Sequence, residues 1–339
     1  LVSTMKRKGQ NIQSAERQYP FDMVATVSTG YDSATVSAIV RTGGCRRLLT
    51  IDRSRAGESD SGEEVGKHLG VDVHVADREA WRSEDLAEIP FIAGGPGGGG
   101  SVFFKSAEDQ LADTVLFSGL GGGPVWSMKQ PGPNGDFAPI GFPDCSLLEY
   151  RLDVGFLHCP LPLWGMRTPG DLYRISSSDE MRDWNVPGNY NRPVARRILE
   201  TAGVPRDAFG MTKKAAAFKL HQPFSGKEAL SASSAASFHS WLRESRGEWW
   251  RRRKLPPSRI LSSVVDNLLH LSDLGLRVMY RLLPASGLRD SVQKQIVAVG
   301  HLARRPPGSV RSYTFPWAVD RLQEGYDTSR ANYPAERAK

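Results

Sequence analysis

The first residues equipped for chemistry are Ser28-Thr29-Gly30-Tyr31-Asp32-Ser33. They follow an apolar run, Met23–Ser28, and open a segment of helical character. A small, hydroxyl-rich turn between a strand and a helix N-terminus aims backbone N–H groups and the positive end of the helix dipole at an anion. Ser28 and Ser33 add hydroxyl donors for phosphate oxygens. Asp32 repels phosphate unless a cation lies between them, which points to Mg²⁺; its plainer alternative is to cap the helix. The turn is not a Walker A loop, since the Gly-Lys-Ser/Thr ending is absent, and it lacks GxGxxG spacing.

Three further segments carry residues of the same kind. Leu116-Phe117-Ser118-Gly119-Leu120-Gly121-Gly122-Gly123-Pro124-Val125-Trp126 is a second Gly-rich turn after an apolar run. Ser146-Leu147-Leu148-Glu149-Tyr150-Arg151-Leu152 brings an acid and a base two residues apart. The stretch from Arg192 to Lys214 ends on a lysine pair, Lys213-Lys214. The first turn closely resembles the SGGxDS motif of the PP-loop ATP pyrophosphatases, with Thr29 in place of the second glycine. All four segments, in order over residues 21–220, resemble the synthetase domain of the asparagine synthetase family. The second turn is similar to that family's LSGxGxDExFGG loop, and the third segment to its GxExRxPF segment.

The resemblance implies ATP and Mg²⁺ as cofactors. Ser28, Thr29, Gly30, Asp32 and Ser33 would hold the phosphates, with Asp32 on the metal. Val27 and Ile51 would line the adenine pocket. Ser118, Gly119, Gly121 and Gly122 would hold pyrophosphate. Gly123 and Pro124 stand where the family has Asp-Glu, so a second metal ligand must come from elsewhere, with Asp136 and Asp144 as candidates. Glu149 would take a proton from the attacking amine, and Lys213 or Lys214 would neutralise charge developing on the α-phosphate. The plain alternatives are a structural Glu149–Arg151 pairing and a surface lysine pair. The family's glutaminase domain has no counterpart here. Ammonia is therefore expected from solution or a separate glutaminase subunit, unless the nucleophile is an amine of the substrate itself.

The elements that must position these residues alternate. Strands are expected at Met23–Ser28, Arg47–Asp52, Val71–Ala76 and Thr114–Ser118, and helices at Asp32–Thr42, Ser61–Leu69 and Ser101–Ala112. Alternation of this kind predicts an α/β fold, a mainly parallel twisted sheet flanked by helices, whose ligands bind beyond the strand carboxyl ends. From about residue 145 the pattern is mostly helical. It includes Arg192–Ala202, Leu230–Arg253 and an amphipathic stretch, Arg259–Leu283, carrying Ile260, Val264, Leu268, Leu271, Leu274, Val278 and Leu282. The expected organisation is a flexible arm over 1–20, the nucleotide domain over 21–220, a helical basic region over 221–303 and a loose tail over 304–339.

Composition narrows the class. Of 339 residues 40% are hydrophobic and 24% charged, which fits a globular chain. Cys45, Cys145 and Cys159 form no CxxC pair, so neither a zinc ribbon nor a disulfide scaffold is expected. His158–Cys159 with Cys145 nearby is read as core or loop rather than metal site. Neither a signal peptide nor an apolar run of membrane-spanning length is read, so a cytoplasmic protein is expected. The net charge of +7 is uneven: residues 1–190 hold 18 basic and 25 acidic residues, and 191–339 hold 26 and 12. The densest basic stretch is Trp241–Arg259, where Trp249-Trp250 precede Arg251–Lys254. It is a solvated helix end, a nucleic-acid contact or an anionic-membrane contact. The glycine run Gly94–Gly100 is expected to be a flexible lid or linker.

The lead expectation is an ATP-dependent ligase that adenylates a carboxylate, releases pyrophosphate and forms an amide with ammonia or an amine. The alternatives are a PP-loop enzyme acting on RNA through the basic arm, and a degenerate member that binds nucleotide or scaffolds a partner.

Overall fold

The computed structural model describes residues 2–16, 20–95, 98–128, 147–165, 169–218, 220, 230–253, 275–276, 278–279, 292, 295 and 311–331. The chain divides into two compact units, Leu1–Leu220 and His221–Lys339. The first opens with helix α1 (Val2–Ile12) and continues through strands β1 (Asp22–Thr26), β2 (Arg47–Ile51), β3 (Asp72–Ala76), β4 (Thr114–Ser118) and β5 (Leu157–Pro160). Between and after them run α2 (Tyr31–Arg41), α3 (Glu63–Leu69), α4 (Ile89–Ala93), α5 (Gly122–Val125), α6 (Leu148–Val154), α7 (Pro169–Ser176) and α8 (Pro193–Thr201).

Among the described residues all four strand pairings are parallel, and the order is β3-β2-β1-β4-β5. The α/β architecture is therefore as the alternation predicted. Apolar runs make the central strands because both of their faces are covered. Met23, Val24 and Ala25 are buried in β1, and all five residues of β4 are buried. The alternation of a strand then sorts side chains by face. Met23, Ala25, Leu48, Val115 and Phe117 join one core cluster with α2 and α8, while Val24, Leu49 and Leu116 lie outside it. Helix α2 has eight buried positions, more than one stripe, because it touches β1, β4 and α8 together. Helix α3 stops at Gly70, where φ of +64° is open to glycine at no steric cost.

Three expectations are corrected. Residues 2–12 are helical rather than a frayed arm: Met5 is buried in the core, and Gly9 packs so closely on the Gly43 carbonyl that a Cβ would overlap it. The short strand β5 had no sequence signal strong enough to be read; Leu157-His158-Cys159-Pro160 is a strand because Val115–Ser118 offers it a pairing edge. In place of a loose tail, residues 311–331 form a helix.

In the second unit, α9 (Ala232–Arg253) packs on α10 (Arg311–Ala331). Phe238 meets Trp317 edge to face, at 5.3 Å between ring centroids. Trp241 Nε1 donates to Asp320 Oδ2 at 2.7 Å, and Trp317 Nε1 to Ser237 Oγ at 3.3 Å. The backbone of Trp249–Arg253 continues α9. Lys254 and most of Arg259–Leu283 lie outside the described residues. Among the described residues, no helix is long and apolar enough to cross a membrane.

Candidate functional site

Strand order reverses between β1 and β4, so the chain departs in opposite directions from their carboxyl ends and leaves a crevice there. After β1, the Val27 amide still donates to the Leu49 carbonyl at 2.9 Å, and the chain leaves the sheet at Ser28. Ser28 Oγ lies 2.7 Å from Ser33 Oγ and accepts the Gly30 N–H at 3.1 Å. These bonds curl Ser28–Ser33 into the turn that starts α2. Thr29 is not among the non-glycine residues with positive φ, so a β-branched side chain is accommodated there without strain. Its hydroxyl donates to Asp60 Oδ1 at 2.6 Å.

After β4, Gly119 lies directly on the start of α2. A Cβ at Gly119 would fall 2.5 Å from Ser33 N, and one at Gly122 2.6 Å from Asp32 Cγ and 2.5 Å from Trp126 Nε1. Gly121, at φ +81°, turns the chain into α5. The glycines of the second turn thus let two backbones close on the Asp32 carboxylate.

The two turns border a cavity of about 200 Å³. Its lining includes the apolar residues Val27, Leu49, Ile51, Phe103, Phe104 and Ala216. It also includes the polar residues Ser28, Ser33, Ser118, Asp32, Asp60 and Lys214. Burial pushes the Asp32 carboxyl up to about 6, against the pull of Arg192 and Lys213. Asp60 is also raised by burial, opposed by the Thr29 hydroxyl and Lys214.

The segment after α8 closes the crevice. Gly210 N donates to the Thr29 carbonyl at 2.7 Å, and Arg55 N to the Ala215 carbonyl at 2.7 Å. Lys214 Nζ donates to the Ser59 carbonyl at 2.6 Å, and Arg78 Nε to the Ala216 carbonyl at 2.8 Å. The glycine run takes part in this packing: Phe218 N donates to the Gly100 carbonyl at 2.8 Å, and a Cβ at Gly99 would fall 2.8 Å from Leu220 Cδ1. Gly98–Gly100 therefore serve close packing rather than a free lid; Pro96 and Gly97 lie outside the described residues.

Of the residues singled out from the sequence, Val27, Ser28, Asp32, Ser33, Ile51, Ser118, Gly119 and Lys214 line the cavity. Thr29 and Gly30 shape the first turn behind it, and Gly121 and Gly122 the second. Lys213 acts on Asp32 by charge without lining the wall. Glu149 is not brought there. It sits in the first turn of α6, whose next residue, Tyr150, stacks on Phe91 at 4.2 Å and donates to the Phe104 carbonyl at 3.0 Å. Asp136, Asp144 and Cys145 lie outside the described residues.

Asp60, Phe103 and Phe104 had no motif to mark them as site residues, and His158 beside Cys159 reads from the sequence as core or loop. Asp60 follows β2 in a polar stretch of ordinary loop composition, and His158 approaches the site only because β5 pairs with β4. Among the described residues, no group of three or more His, Cys, Asp or Glu could hold a metal by itself. Mg²⁺ commonly needs no more than one or two carboxylates beside phosphates and water, and Asp32 and Asp60 are the carboxylates among the lining residues. The apolar wall suits a flat heterocycle and the hydroxyl-rich turns suit phosphates. No family model and no curated protein matches the chain.

Proposed function

We propose that this chain binds ATP with Mg²⁺ and uses it to adenylate a carboxylate, which ammonia or an amine then converts to an amide. The observation that carries the reading is the meeting of two turns at the fork of β1 and β4, with the Asp32 carboxylate walled between them. Bound Mg-ATP would supply the adenylyl group and a leaving pyrophosphate. Val27, Ile51 and Phe104 would seat the base, and the Ser28–Ser33 hydroxyl pair would donate to phosphate oxygens. Asp32 and Asp60 would hold the cation, and Lys214 would face charge developing on the phosphates. Because Glu149 is not among the residues lining the cavity, the reading needs another acceptor for the amine's proton.

Titration calorimetry with Mg-ATP tests the binding step. Metal-dependent binding that Asp32→Ala weakens by about 100-fold or more is expected, since a fixed charge in a dry site is worth several kcal/mol. Pyrophosphate exchange into ATP, dependent on a carboxylic acid from a panel, tests the chemical step. A second reading, nucleotide binding without turnover, draws support from Gly123, near the Asp32 carboxylate, and Pro124, which stand where the resembling family carries acids. Binding without exchange across the panel selects it.

A further inference from the structure

We infer that Ser118 and His158 form the proton-accepting pair of this cavity, with the imidazole acting through the serine hydroxyl. This rests on the amide-forming reading above and supplies the acceptor it lacks.

Three observations carry it. Ser118 Oγ lies 2.7 Å from His158 Nε2. Ser118 lines the cavity at the end of β4 and His158 does not, so the ring reaches the cavity only through the hydroxyl. The pairing is built into the sheet: Leu116 is opposite His158 and Ser118 opposite Pro160 in parallel register. Residues two apart on a strand share a face. Leu116, Ser118 and His158 therefore project to one side of the sheet, while Phe117 and Cys159 go to the core on the other.

The two carboxylates on the wall are committed elsewhere. Asp60 accepts from Thr29, and Asp32 stands among glycines with Arg192 and Lys213 as its opposite charges. A carboxylate holding a cation is a poor proton acceptor, whereas a neutral imidazole is a good one near neutral pH. In the step, an N–H bond of the nucleophile breaks and its proton passes to Ser118 Oγ. The serine proton passes to His158 Nε2, giving an imidazolium. The freed electron pair of nitrogen bonds to the activated carboxyl carbon as the nucleotide leaves with its own pair. The pathway requires Nε2 to be the acceptor, hence a neutral ring protonated at Nδ1.

Nitrogen-15 NMR of histidine-labelled full-length protein tests this, with the His158 signals assigned by their loss in His158→Gln. The neutral ring is expected as the Nδ1–H tautomer, and Ser118→Ala is expected to shift its Nε2 resonance. A neutral ring protonated at Nε2 overturns the pair, and this measurement on the unsubstituted protein holds even where Ser118→Ala fails to fold. Mg-ATP, with binding followed by calorimetry on the same sample, is expected to shift the His158 signals. Signals unmoved while Mg-ATP binds overturn the placement of the pair in the site. No Mg-ATP binding at all overturns the proposed function instead, and the tautomer then decides the pair alone.

Discussion

Asp32 concentrates the consequences of burial. Its carboxyl titrates near pH 6 in the folded chain, against 3.8 ordinarily. Between those values the native state holds more protons than the unfolded one, so this group's contribution to stability falls as pH rises. Asp32→Asn is therefore expected to stabilise the ligand-free protein at pH 7 by an amount on the order of 2 kcal/mol, a gain that vanishes below about pH 4. Thermal unfolding across that range reads it. The same group couples cation binding to proton release. Mg-ATP binding near pH 6 is expected to release roughly half a proton, and at pH 8 almost none, read from the binding enthalpy in buffers of different ionisation heat. Gly122→Ala places a methyl against both the Asp32 carboxylate and the Trp126 ring nitrogen. A loss of about 1–3 kcal/mol of stability, with weaker Mg-ATP binding, is the expected outcome.

At the scale of elements, the start of α2 is held by parts of the chain far away in sequence. Arg196 of α8 is 1% exposed. Its Nη2 donates to the Tyr31 hydroxyl at 2.5 Å, and its Nη1 to the Arg206 carbonyl at 3.2 Å and Glu200 at 3.4 Å. Tyr31 opens α2 and precedes Asp32, so α8 braces the Ser28–Ser33 turn from behind. Arg196→Ala strands the Tyr31 hydroxyl and weakens the hold on Glu200. A cost on the order of 3 kcal/mol is expected, read from the denaturant midpoint, together with weaker Mg-ATP binding. Helix α8 and the lysine pair were visible as a basic segment in the sequence. What escaped was the contact itself, because no local periodicity records that Arg196 and Tyr31, 165 residues apart, will touch.

For the whole molecule, the division after Leu220 redistributes the charge. Residues 1–220 hold 25 basic and 27 acidic residues, and 221–339 hold 19 and 10. The first unit is close to neutral, and the cations that meet Asp32, Arg192 and Lys213, belong to it. Nucleotide binding in the proposed site then rests on hydroxyls, N–H groups and a few placed charges rather than on a bulk positive field. Every residue of the cavity wall lies before Leu220. A fragment of residues 1–220 is thus expected to unfold cooperatively and to bind Mg-ATP within about threefold of the full chain, since a small change in Kd is a fraction of a kcal/mol. Expression of the fragment with calorimetry checks this.

The amino-acid sequence by itself determined the alternating strands and helices of the first unit, four of the five described strands and most of the residues on the two turns. Buried parallel strands and glycine-rich turns write themselves locally, as apolar runs and as small residues at their ends. Only the tertiary structure decided that Asp60 joins the cavity wall, that Glu149 does not, and that His158 stands behind Ser118. It likewise turned residues 2–12 and 311–331 into helices, through Met5 in one core and Trp317 in the other. These outcomes depend on which surfaces meet across long stretches of chain, and the free energy of such contacts belongs to the pair of surfaces rather than to either segment alone.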